Sequence, residues 1–156
     1  MPSRKKLLQY SERHLFYEIW MLFGIGEVLA RSPVASEIFR YALIESFVIH
    51  LRNVIVFLYP PRHRKPSDVV AEHFFDRPDE WKKKLPPLSA ALQKAKTRAD
   101  KEVAHLTTGR IAGAPLEKGW PARQLLDELK KRLKLFAQLA SEARLHSNVK
   151  QIVDLI

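Results

Sequence analysis

The chain has 156 residues, enough for one domain with its own core, and no Cys, which excludes disulfides and thiolate metal sites. Lys and Arg number 27 against 17 Asp and Glu, a net charge of +10. An apolar fraction of 46% excludes a disordered basic tail, and only five Gly argue against a turn-rich all-β fold.

The first predicted element follows Ser11, an N-cap residue. Leu15, Ile19, Leu22, Phe23, Gly26 and Leu29 recur at helical spacing as far as Ser32-Pro33. Gly24 and Gly26 each cost about 1 kcal/mol in a helix. Their expected use is close approach of a neighbouring helix. They form no nucleotide loop, because no strand precedes them. Ser32-Pro33 starts a second helix, with Pro at the first helical position, and Pro60-Pro61 ends it near Tyr59. Residues 60–67 form an exposed basic loop. Ser67 caps a short helix from Asp68 to about Phe75, Arg77-Pro78-Asp79 breaks it, and Trp81 plugs the core.

Pro86-Pro87 opens a third long helix, about 87–106, with Leu88, Leu92, Ala95, Ala99 and Val103 on one stripe. A loop holding three glycines and Pro115 leads to Trp120-Pro121, which starts a fourth. Leu125, Leu126, Leu129, Leu133, Phe136 and Ala140 form its apolar face, and Lys130, Lys131 and Lys134 lie off it. Residues 147–156 form a tail with a short helix. No stretch alternates as a strand does. The expected fold is all-α, one domain over 1–156, an up-and-down bundle of four long helices with a short inserted helix. No apolar run approaches the roughly 20 residues that span a bilayer. Nor does the N-terminus carry a targeting pattern. The expectation is a cytoplasmic protein with no membrane partner.

The six His, at 14, 50, 63, 73, 105 and 146, form no His-x-x-x-His or Glu-x-x-His pattern, so neither metal nor cofactor is expected. The second helix is apolar on most sides, and its few polar residues are half-buried. Glu45 and Arg52, seven apart, project on nearly one face, with Ser46, His50 and Asn53 beside them. Buried charge must be paired, so these residues read either as a Glu45–Arg52 core pair or as part of a site. On the third helix Arg98 and His105 are also seven apart, with Lys101 between them. A His at a helix end titrates near neutral pH, and an Arg holds a phosphate by a fork of hydrogen bonds. Spacing alone leaves two readings open. His105 caps its helix beside solvated cations, or it handles protons for RNA cleavage by the RNA's own 2′-OH.

An all-helical domain with Arg98-x6-His105 near the end of its third long helix resembles the HEPN superfamily, in abortive-infection or toxin-type form. Ala99-Asp-Lys-Glu-Val-Ala-His105 is similar to the Asn-Lys-x-x-Ala-His wording of these domains. The family usually has a polar residue after the motif Arg, where this chain has Ala99. In the frame set by Asp100-Lys101 the Arg position falls on Ala99, and the resemblance then implies either that Arg98 is a displaced motif Arg or that Arg52 of the second helix substitutes for it. The resemblance implies a metal-independent endoribonuclease, a toxin or phage-defence effector, acting as a homodimer with the two motifs facing across one cleft. His105 and Arg98 would be catalytic. Lys101, Arg52, Asn53 and Glu45 would support them, and Arg62, Arg64 and Lys65 would bind RNA. A cognate antitoxin or another protein is the expected partner. The alternative is a catalytically silent HEPN-like module that binds a nucleotide or a protein. A structural or DNA-binding helical bundle is a third reading, but no helix–turn–helix spacing is present.

Overall fold

The computed structural model describes residues 1–31, 36–102 and 119–156. Among these residues the chain is all-helical, without a strand. The elements are α1 (Arg4–Tyr10), a π-helical segment (Ser11–Leu15), α2 (Phe16–Arg31), α3 (Glu37–Leu58), a 3₁₀ turn (Ala71–Phe74), α4 (Pro78–Lys84), α5 (Ala90–Glu102), α6 (Ala122–Leu139) and α7 (Ser147–Leu155).

The first helix begins well before its sequence signals imply. Ser3, not Ser11, is the N-cap, accepting from the Lys6 N–H. Ser11 is fully buried in the π-helical segment. Its hydroxyl donates to Leu8 O and accepts from the His146 N–H, both at 3.0 Å. A residue that reads locally as a cap is a tertiary tie to the start of α7. A π turn adds one residue to the helix and so rotates the faces of α2 relative to α1.

Gly26 is in tight contact, as its cost implied. A Cβ there would lie 2.7 Å from Leu126 Cδ1 and 2.9 Å from Phe47 Cε2. Gly24 is exposed and has nothing within 4 Å of that position, so close approach explains only one of the pair. Residue 26 meets residue 47 and Glu18 meets His50, so α2 and α3 run in opposite directions. Tyr59 meets Pro86 and Arg52 meets Asp100, so α3 and α5 also run oppositely.

The expected start of the second long helix, at 32–33, lies outside the described residues. α3 is 22 residues long and is the one described helix long and apolar enough to cross a membrane by length and composition. The polar residues at 50, 52 and 53 do not shorten it, contrary to expectation. Its second half is core: Phe47, Leu51, Val54, Ile55 and Leu58 are buried.

The short helix expected at 68–75 is only the 3₁₀ turn Ala71–Phe74, because Asp68 is used otherwise. Its carboxylate accepts from the Lys65 N–H at 2.9 Å and closes a turn. Pro78 opens α4 at its first position instead of merely breaking a helix. Trp81 is buried as expected, stacked on Phe75 and edge-on to Phe136. The third long helix starts at Ala90, after Ser89, whose hydroxyl accepts from the Leu92 N–H and donates to Glu128. Its stripe Leu92, Ala95 and Ala99 is buried, whereas Val103 lies outside the described residues. The predicted face of α6 is buried throughout. Arg132 on that helix is buried too. It donates to Tyr59 Oη at 2.7 Å, Glu128 O at 2.9 Å and Pro87 O at 3.2 Å, joining α6 to the C-terminal end of α3 and the residues ahead of α5.

Candidate functional site

His105, the expected proton-handling residue, lies outside the described residues. The described residues place the remaining candidates in three locations.

The first is the α3–α5 contact. Three consecutive residues on α5 face three ways, because successive helical positions are about 100° apart. Ala99 faces the core at 1% exposure. Asp100 faces α3, where its Oδ1 accepts from Arg52 Nε at 2.5 Å and its Oδ2 lies 3.2 Å from Lys96 Nζ. Burial raises the Asp100 pKa, but the hydrogen bonds from Arg52 and Lys96 outweigh it and hold the carboxyl below its usual range. Arg98 faces the start of α6. Its guanidinium sits 4.3 Å from the centre of the Trp120 ring, a cation–π contact, and donates to Gly119 O at 3.3 Å. Arg98 thus borders a groove of about 550 Å³ shared with Lys94 and Gln124. Lys101 is exposed on the same helix. Arg98 and Arg52 therefore lie on different sides of α5 and do not share one pocket.

The Glu45–Arg52 pair is not formed. Arg52 takes Asp100 as partner, and Glu45 is exposed farther along α3. The reason is a choice of distance. A partner from a packed neighbouring helix meets the guanidinium directly, whereas Glu45 is about two turns away along the same helix.

The second location centres on Glu18 of α2, which sequence reasoning missed. Its Oε2 lies 2.7 Å from His50 Nδ1 and accepts from Asn53 Nδ2 at 3.1 Å. His50 is 7% exposed, with Tyr17 edge-on to its ring. The available signal was His50 itself. A His in so apolar a helix needs a buried partner, and Glu18 borders the apolar stripe that faces α3.

The third location is the 60–70 loop. Arg62 and Lys65 are exposed as expected. Arg64 instead turns inward to Glu72, with Nη2 2.5 Å from Oε1, and Lys82 joins the same carboxylate at 3.2 Å. Glu72 is 9% exposed at its side chain, and burial pushes its pKa up. The two cations more than offset that, so it stays ionised below the ordinary range. Arg64 is therefore first a structural residue that holds the loop to the 3₁₀ turn.

No group of three or more His, Cys, Asp or Glu among the described residues is arranged to hold a metal ion. Compared with protein-family models, with curated proteins and with solved structures, the chain shows no match.

Proposed function

We propose that this chain is a metal-independent endoribonuclease of the HEPN type, built on an up-and-down bundle of its four long helices and acting as a cytoplasmic homodimer. The observation that carries the reading is the supply of two arginines to α5 just ahead of the segment that holds His105. Arg98 is held there by Trp120, and Arg52 by Asp100. The net charge of +10 supports a polyanionic substrate.

In this mechanism the RNA 2′-OH attacks the adjacent phosphorus, and the bond from phosphorus to the 5′-oxygen breaks. His105 takes the proton from the 2′-OH, and a second His105 across the dimer axis gives one to the departing 5′-oxygen. An arginine offsets the charge that develops on the phosphoryl oxygens. The products are a 2′,3′-cyclic phosphate and a 5′-hydroxyl. Lys101 and the exposed Arg62 and Lys65 guide the RNA, and a cognate antitoxin or partner protein restrains the activity.

The test is incubation of the purified chain with RNA in EDTA, with end-group analysis of the products. Cleavage that survives EDTA, leaves cyclic phosphate ends and disappears in His105→Ala supports the nuclease. Intact RNA with wild type at micromolar concentration overturns it. A second reading is favoured by one observation, that both arginines are already engaged within the fold. It is a silent HEPN-like module that binds nucleotide or protein through the same surfaces.

A further inference from the structure

A cleft of about 360 Å³ lies between the π-helical segment, the second half of α3 and the 61–70 loop. Tyr10, Glu18, Asn53, Phe57, Arg64 and Asp68 are among the residues that line it. Three features mark it as built to hold a ligand. The π-helical segment Ser11–Leu15 reaches it through Leu15, flanked by Tyr10 of α1 and Glu18 of α2, and such segments recur at functional sites. Glu18 is oriented from behind, with both donors, His50 and Asn53, on Oε2. Its Oε1 has no hydrogen bond to a described residue, so the carboxylate that Glu18 brings to the cleft lining keeps acceptor capacity unspent. Donors beside it are the Tyr10 hydroxyl, the second amide proton of Asn53 and the Arg64 N–H groups not given to Glu72, and the Ser67 hydroxyl and Asp68 carboxylate lie on the loop side. Burial raises the Tyr10 pKa, and the Glu18 and Asp68 carboxylates raise it further, so the hydroxyl keeps its proton.

The Glu18 acceptor, held in place from α3 beside the Asn53 and Arg64 donors and with apolar walls from Leu15, Val54 and Phe57, complements a flat heterocycle with one amino group beside acceptors. Asp68 at the loop edge is a second carboxylate, with Oδ2 already taken by the Lys65 N–H. The Watson–Crick edge of cytosine reads donor, acceptor, acceptor, and adenine offers the first two. The exposed Arg62 and Lys65 on the loop bordering the cleft suit a phosphate. The geometry points to this cleft as a subsite for an amino-bearing nucleobase of a nucleotide, with Glu18 Oε1 as the acceptor that selects the amino group. It deepens the RNA reading and rests on it for its setting, and it is separate from the groove that Arg98 borders between α5 and α6.

The experiment is titration of the full chain with cytidine and uridine 5′-monophosphates, followed by calorimetry or by chemical shifts. The two probes differ at the position facing Glu18, an amino group in one and a carbonyl in the other. A hydrogen bond to a charged acceptor predicts about tenfold or more tighter binding of the cytidine nucleotide. Glu18→Gln keeps an oxygen for His50 and Asn53 and turns an amide N–H₂ into the cleft, so the preference should swing toward uridine. Val56→Trp, at a half-buried position on the cleft wall, should abolish binding of both while leaving the helical signal intact. If Glu18→Gln fails to fold, Val56→Trp and the wild-type ratio still decide. Equal affinity for the two nucleotides, no binding of either, or binding unaffected by Val56→Trp overturns the proposal. Cytidine-selective binding without RNA cleavage leaves the subsite standing and removes the nuclease.

Discussion

Arg52 on α3 and Asp100 on α5 meet with Nε and Oδ1 2.5 Å apart, a contact that ties the two helices together on the side of α5 away from Arg98. The Asp100 carboxyl is held below its ordinary value, net of burial, by Arg52 and Lys96. The sign follows from linkage: a group with a lowered folded pKa stabilises the fold above its unfolded value, about 3.9, and loses that as pH falls further. Asp100→Asn should therefore flatten the fall in melting temperature below about pH 4. The two side chains are 43% and 36% exposed, so solvent screens them. A double-mutant cycle with Arg52→Ala and Asp100→Ala should return about 0.5–1 kcal/mol, reduced by added salt. A larger, salt-independent value would mean the pair is more enclosed than this.

Catalysis separates the two arginines. In the proposed reaction the arginine at the phosphate contributes about 10²–10³-fold, so its truncation to Ala should cost that much in cleavage rate. Arg98→Ala should also free the Trp120 ring and change its fluorescence, which Arg52→Ala should not. If Arg52→Ala abolishes cleavage and Arg98→Ala spares it, the catalytic arginine comes from α3. Equal small effects from both would remove the arginine role altogether.

The two glycines of α2 should respond in opposite directions. Gly24→Ala meets nothing within 4 Å and gains helix propensity, a stabilisation of about 0.5–1 kcal/mol. Gly26→Ala places a methyl against the ends of Leu126 and Phe47, both buried and unable to swing away. Overpacking of that kind costs about 1–3 kcal/mol, more than the propensity gain. Thermal melts of the two variants check this, and a stabilised Gly26→Ala would show that the α2–α3–α6 junction is loosely packed.

Ser11→Ala should cost about 1–3 kcal/mol, because the His146 N–H loses its acceptor in a buried site. Ser67→Ala, at an exposed position, should change stability by less than about 0.5 kcal/mol. Urea midpoints provide the comparison. Equal effects at both positions would mean that water replaces the Ser11 hydroxyl.

Features that repeat along a helix were legible before any helix was placed. The face Leu125, Leu126, Leu129, Leu133 and Phe136, the stripe Leu92, Ala95 and Ala99, and the apolar character of the second long helix all belong to this class, because burial on one side writes a period into the chain. Prolines 60, 61 and 121 set boundaries to within a few residues, since a missing N–H and a fixed φ act locally. Pairings between helices emerged only from packing. Arg52 took Asp100, 48 residues away, over Glu45, and Arg64 took Glu72. Ser11 became a tie to His146 instead of a cap, and Glu18 entered the candidate site although no motif marked it. A short-range pattern says which face of a helix is polar, but a side chain's partner depends on how two packed helices align, and no local period carries that alignment.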